Sequence, residues 1–244
     1  MPIFDTHVYL EGYPLPGVNQ NADQIAQVMQ ARGISSSVLF ATRAENADPL
    51  TGNRILKAMI EPHNTLYAAV TAHTSRVEAS IQAVKDLLNN RRFVGTMLIG
   101  QDPNAPLHPI LADDILNACR RYQKPIFLYT PNAACVEIAL HIAKSYSMHR
   151  FIFLGMGGKD WHNAVAAAHQ ATNTFLELSG ELDNTKIPYA VNVLGAHRLL
   201  FGSGAPHQDP VAVMGLMAEA GLSSSNIQRI LYDNAVKLFG LAEG

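Results

Sequence analysis

Short apolar runs alternate with longer stretches of helical period along nearly the whole chain. Ile3 to Leu10, Ser37 to Thr42, Leu66 to Ala72, Phe93 to Ile99, Pro125 to Tyr129, Phe151 to Leu154, Thr174 to Leu178 and Arg198 to Phe201 read as strands. Most are apolar at consecutive positions, which is the pattern of parallel strands covered by helices on both faces. Between them, Ala22, Ile25, Ala26 and Met29 fall at helical spacing and are stopped by Gly33. Val77, Ile81, Val84 and Leu88 form a second such stripe, and Ser75-x-x-Glu78 predicts a capping box at its start. A helix beginning near Pro109 is expected to turn Ile110, Leu111, Ile115 and Leu116 inward. Further helices are expected over Arg54 to Ile60, Cys135 to Tyr146 and Trp161 to Ala171. Gly12, Pro14, Pro16 and Gly17 make residues 11–20 a loop that overhangs one end of the sheet.

Eight strands separated by helix-length segments predict an α/β chain folded as a single (β/α)8 TIM barrel, with residues 1–244 forming one domain. A doubly wound open sheet is the competitor, and its G-x-G-x-x-G fingerprint after the first strand is absent. A barrel of this kind builds its active site at the C-terminal ends of its strands. The polar residues at those ends are therefore the candidates. His7 and Tyr9 lie on the first strand, Arg43 follows the second, His73 ends the third and Tyr129 ends the fifth. Glu177 lies on the seventh strand, and His207 follows the eighth.

Composition narrows the partners more than the chemistry. The 244 residues are 48% hydrophobic and 16% charged, with a formal net charge of −2. Neither nucleic acid nor an anionic membrane is expected as a partner of such a surface. Cys119 and Cys135 fall in separate helical stretches and are read as buried small hydrophobes. No basic segment leads into an apolar one at the N-terminus, and no apolar run reaches the ~20 residues of a bilayer span. A cytoplasmic protein is expected.

Several segments carry a resemblance: Phe4-Asp5-Thr6-His7, Val94-Gly95-Thr96-Met97-Leu98, Lys124-Pro125-Ile126-Phe127, Gly157-Gly158, Arg198-Leu199-Leu200-Phe201-Gly202-Ser203, and the terminal stretch from Ile227 to Phe239. In this order they resemble the amidohydrolase superfamily, in its amidohydrolase-related branch of metal-dependent hydrolases and decarboxylases, over nearly the whole chain. The resemblance implies metal ligands from four strand ends. These are His-x-His on the first strand, a histidine ending the fifth, a histidine before the glycines of the sixth, and the aspartate of Gly-Ser-Asp after the eighth. The matching positions here hold His7 and Tyr9, Tyr129, Gly155, and Gly204. One of the five is a ligand type, so the expectation is no bound metal and no cofactor.

Three functional readings follow. In the first, the barrel no longer performs the family's metal-dependent reaction and keeps a small-molecule pocket at its mouth. In the second, it is a metal-independent lyase or hydrolase acting on a carboxylate-bearing substrate. His7 and Tyr129 would then be catalytic, since histidine titrates near neutrality, and Tyr9, Arg43, His73, Glu177 and His207 would bind the substrate. In the third, an unorthodox ligand set such as His7, His73 and His207 holds a metal. The partner in the first two is a small carboxylate or aromatic molecule, and the resemblance implies a homodimer.

Overall fold

The computed structural model describes residues 1–10, 21–46 and 48–241; the loop expected over 11–20 lies outside the described residues. Eight strands form one sheet in sequence order: β1 (Phe4–Leu10), β2 (Ser36–Ala41), β3 (Leu66–His73), β4 (Phe93–Ile99), β5 (Ile126–Tyr129), β6 (Phe151–Leu154), β7 (Thr174–Glu177) and β8 (Leu199–Leu200). Each pairs in parallel with the next. The sheet closes where β1 meets the residues running out of β8. Thr6 donates its amide to the Phe201 carbonyl (3.0 Å), Tyr9 to that of Ala205 (2.8 Å), and Gly204 returns one to His7 (2.9 Å). The fold is the (β/α)8 barrel that the alternation predicts.

Helices α1 (Ala22–Ala31), α2 (Thr42–Asn46), α3 (Pro49–Ile60), α4 (Val77–Leu87), α5 (Pro109–Cys119), α6 (Ala133–Ser145), α7 (Trp161–Gln170), α8 (Lys186–Leu194), α9 (Pro210–Glu219), α10 (Ser224–Gln228) and α11 (Asn234–Phe239) follow in chain order. None is long and apolar enough to cross a membrane among the described residues. One apolar layer lies between the barrel wall and these helices. A second fills the barrel with Phe4, Val38, Phe40, Met97, Phe127 and Ile152, and α11 adds Val236, Leu238 and Phe239 to it. The Phe239 ring sits 5.6 Å from that of Phe4 and 6.1 Å from that of Phe127, sealing the end of the barrel where β1 begins. Phe40 meets Phe127 edge-on at 5.1 Å one layer up, and His7 lies against Phe40 at 5.5 Å. Polar chemistry is thereby confined to the opposite end.

Two local expectations fail for identifiable reasons. Ser75 does not cap α4; the capping position is Arg76, with no side-chain bond. Ser75 turns back on His73 instead, its amide donating to Nδ1 at 3.1 Å and its hydroxyl 2.8 Å from the same atom. On α5 the buried stripe is Ala112, Ile115, Leu116 and Cys119, a clean i, i+3, i+4, i+7 series. Ile110 and Leu111 precede that stripe in the first turn and are 78% and 50% exposed.

α3 begins five residues earlier than periodicity indicates, because its first turn is set by capping. Asp48 accepts from the Thr51 amide at 2.8 Å, and Pro49 occupies the first helical position, where its missing N–H is not needed. Asn53 then ties α3 to β3 with no exposure: its Nδ2 donates to the carbonyls of Pro49 (2.7 Å) and Thr71 (2.8 Å), and its Oδ1 accepts from Thr71 N (2.9 Å). Asn53→Ala strands the Thr71 amide and carbonyl in the interior. A loss on the order of 2–3 kcal/mol is expected, read in a thermal melt as a midpoint lower by roughly 5–10 °C. An unchanged midpoint would show that the clamp contributes nothing.

Candidate active site at the barrel mouth

The β1–β2 register shifts between Asp5 and Val8. Such an irregularity re-aims side chains, and here Phe4 and Tyr9 both join the interior cluster while His7 packs between Tyr9 and Phe40. Glu177, the last residue of β7, is fully buried. Its Oε2 accepts from His7 Nδ1 at 3.0 Å, from Gly155 N at 2.9 Å and from Ser179 Oγ at 2.7 Å. Its Oε1 accepts from Ser179 N at 2.6 Å. A side chain at Gly202 would run into that oxygen, so glycine there makes room for the carboxylate. Burial by itself would raise the Glu177 pKa. The His7 charge and the hydrogen bonds from His7, Gly155 and Ser179 outweigh it and hold the group below the usual carboxylate range.

This arrangement fixes the imidazole. With Nδ1–H turned to a carboxylate, Nε2 is the nitrogen left for chemistry, and in His7 it is buried and has no partner. Ser179 Oγ lies 3.1 Å from Nδ1 and steadies the same edge. Two more buried charges brace the pair. Asp5 Oδ1 accepts the amides of His7 (3.1 Å) and Ser203 (2.9 Å), and Oδ2 has no partner; burial pushes the carboxyl up to about 6. Lys186 Nζ donates to the carbonyls of Leu178 (2.6 Å) and Ser179 (3.3 Å), fixing the chain just past Glu177; burial pulls its pKa down to about 8.

Two cavities open above this cluster. The larger, about 620 Å³, is lined by His7, Tyr9, Tyr129, Gly155, Lys159, Gly204, His207 and Gln208, among others. The smaller, about 320 Å³, lies towards the ends of β2 and β4, and Tyr9, Tyr129 and His207 line it as well, forming the partition. Burial raises the pKa of both tyrosines, so each keeps its phenolic proton. Burial and the nearby His7 lower that of His207. Of the residues singled out in the sequence, His7, Tyr9, Tyr129 and His207 thus meet at the mouth, and Glu177 stands behind His7. Arg43 and His73 line neither cavity. Ser179, Lys186 and Glu45 of the smaller cavity escape sequence reasoning, because none lies inside a strand or breaks an apolar run.

Gly155 and Gly204 stand at two of the positions where the resemblance implies a ligand. A Cβ at Gly155 would touch the Tyr129 ring at 3.6 Å, so the ring packs beside it, and both Gly155 and Gly204 also open onto the larger cavity. Their φ angles are +74° and +69°, where a side chain is strained. Reinstating histidine and aspartate there, with histidine for Tyr9 and Tyr129, therefore works against the backbone.

A catalytic zinc takes three protein ligands of N, S or O type. Among the described residues no three His, Cys, Asp or Glu side chains gather in that way. His7 has one nitrogen to give, both Glu177 oxygens are already bonded, and neutral phenols are poor ligands. The described donor set does not fit a tightly held divalent ion.

A parallel barrel with a histidine–carboxylate pair and an aromatic-walled cavity at the ends of its strands has the layout of a barrel enzyme. The amidohydrolase family model matches residues 4–241, and the chain belongs to that family. It is 27% identical over 153 residues to an uncharacterized metal-dependent hydrolase, YjjV of Escherichia coli strain K12; the match covers 57% of this chain and 54% of that protein, about half its length. Among solved structures, a dihydroxybenzoic acid decarboxylase from Polaromonas sp. JS666 with bound manganese and 2-nitroresorcinol superposes with a TM-score of 0.78 at 14% identity, covering 100% of this chain and 98% of that one. A 5-carboxyvanillate decarboxylase from Novosphingobium aromaticivorans, with manganese and 4-hydroxy-3-methoxy-5-nitrobenzoic acid, gives 0.79 at 12% identity, covering 98% and 96%. At these identities the likeness shows the fold.

Asp5 offers a test of the electrostatics. Its folded pKa, about 6, stands above its ordinary value of 3.8, so the folded state holds the extra proton between those limits and this group's contribution falls as pH rises through them. Asp5→Asn retains an acceptor for the two amides and removes the charge. Its stability relative to the parent chain should therefore rise from pH 4 to pH 7, by up to about 3 kcal/mol. Parallel denaturant melts with a constant difference across that range would refute the assignment.

Proposed function

We propose that the chain works as one barrel unit that takes a small aromatic or carboxylate-bearing molecule into the larger mouth cavity. His7 moves a proton there without a divalent metal. One observation carries this reading: Glu177 and Ser179 secure the Nδ1 edge of His7, leaving Nε2 buried and unpartnered in a residue that lines the cavity. A carboxylate behind one ring nitrogen sets the tautomer and stabilises the imidazolium when the other nitrogen takes a proton. The phenol of Tyr129, which keeps its proton, supplies a donor, and the Tyr9 and Tyr129 rings supply flat apolar walls. Lys159 at the same cavity, beside Asp160 and Glu181, offers a cation to an anionic substituent. The aromatic carboxylate chemistry of the manganese decarboxylases supports the ligand class, and the donor set supports a different way of handling it.

Two measurements test this together. After expression with added zinc and manganese, the purified protein should hold well under one equivalent of either by elemental analysis. A full equivalent that disappears in His7→Ala would overturn the metal-free reading. In calorimetric titrations, 2,6-dihydroxybenzoate should bind equally well with and without a chelator. His7→Gln and Glu177→Gln should each weaken it by about ten-fold, some 1.4 kcal/mol. If 2,6-dihydroxybenzoate and 5-carboxyvanillate both fail to bind, the ligand class is wrong.

A further inference from the structure

The smaller cavity is built differently from the larger one. Thr42 and Glu45 line it from the turn of helix that follows β2, with Asn46 beside them. Gln101 and Asn104 face them from the segment after β4, and Met97, Ile99 and Pro103 give it an apolar side. Among the described residues its ionisable lining consists of Glu45, Tyr9, Tyr129 and His207, with no lysine or arginine. Two of its lining residues carry an orphaned oxygen: Glu45 Oε1 and Thr42 Oγ1 are both buried and neither has a hydrogen-bond partner. Buried polar atoms are normally paired, and an unpaired group in a native fold calls for an explanation such as a missing ligand. Two such atoms, three residues apart on a five-residue helix whose residues line one cavity, point to a common occupant.

The chemistry of that occupant follows from what the cavity offers. The Glu45 carboxyl and Thr42 hydroxyl can accept, as can the side-chain amide oxygens of Asn46 and Gln101, and the phenol rings present π faces to a cation. An anionic group would find no fixed positive charge among the described residues that line it. A primary ammonium has three donors and no acceptor and meets this set on every side. We propose that the smaller cavity is a binding site for an amine-bearing small molecule, whose protonated nitrogen pairs with Glu45 and Thr42 while its apolar portion rests on Met97 and Ile99. The site is separate from the His7 cavity across the Tyr9–Tyr129–His207 partition and does not rest on the reading given for that cavity.

Occupation has a signature that packing alone lacks. Burial pushes the Glu45 carboxyl up to about 8, so it is protonated at pH 7 in the empty cavity. An ammonium beside it favours the carboxylate, and binding therefore expels the proton. Benzylamine, charged at pH 7, and benzyl alcohol, its neutral counterpart, are the probes. Calorimetric titrations with benzylamine in buffers of differing ionisation heat should show release of close to one proton per site at pH 7. The release should shrink as pH rises past about 8. Benzyl alcohol should bind at least about ten-fold more weakly, a gap of some 1.4 kcal/mol, and release none. Glu45→Gln should abolish both the proton release and the preference for the amine, with the fold checked by circular dichroism. Benzylamine binding without proton release, equal binding of the two probes, or an amine preference that survives in Glu45→Gln would each overturn the proposal. The proton count is taken on the unmodified protein and decides the matter even if the variant does not fold.

Discussion

A carboxylate removed from water must be compensated on every side, and the mouth of this barrel is arranged around meeting that demand for Glu177. Four donors from three places in the chain converge on it: the His7 ring, the Gly155 amide, and both the amide and hydroxyl of Ser179. A bare Gly202 opposite leaves space for its oxygen, and Lys186 fixes the carbonyls that follow it. Removing one member of such a set strands the others, and broken buried pairs are among the costliest lesions a fold can carry. The orientation of His7 is thus a by-product of solving a burial problem.

That arrangement explains why the aromatic layers matter to chemistry. Phe239, Phe127 and Phe40 make the barrel solid from its closed end up to His7. The imidazole therefore sits on an apolar floor with its partners on one edge, where field effects are strong. Tyr9 and Tyr129 add walls that are apolar across the ring and polar at the tip. They also divide the mouth into two chambers, one lined by His7 and Lys159 together with Asp160 and Glu181, the other by Glu45 and the amides of Asn46, Gln101 and Asn104.

The fold was legible because burial on both faces leaves an unambiguous trace; β4 from Phe93 to Ile99 and β6 from Phe151 to Leu154 match the apolar runs residue for residue. Helix starts were less so. Ser75 has the right side chain for a cap, and a nearby imidazole claimed it. The stripe on α5 begins at Ala112, too small to stand out beside Ile110 and Leu111. At the site, His7, Tyr9, Tyr129 and His207 could be placed by strand position alone. What sequence could not reveal is which polar residue faces the cavity and which stands behind another. Glu177 reads as a ligand-facing acid and is in fact the support of His7. Glu45 gave no signal, since a helix of five residues has too little length to display a period.

The seam between β1 and the end of β8 sets an order of events. Thr6, His7 and Tyr9 find their backbone partners in Phe201, Gly204 and Ala205, nearly two hundred positions away, and the His7 ring finds Glu177 after 170. Such distant pairings incur their loop-closure entropy before any contact rewards it, and they form late. During synthesis one edge of β1 must stay unpaired until the residues that follow β8 have emerged. The setting of His7 is consequently completed late, since its ring partner comes from β7 and its backbone partner Gly204 only from the residues that follow β8.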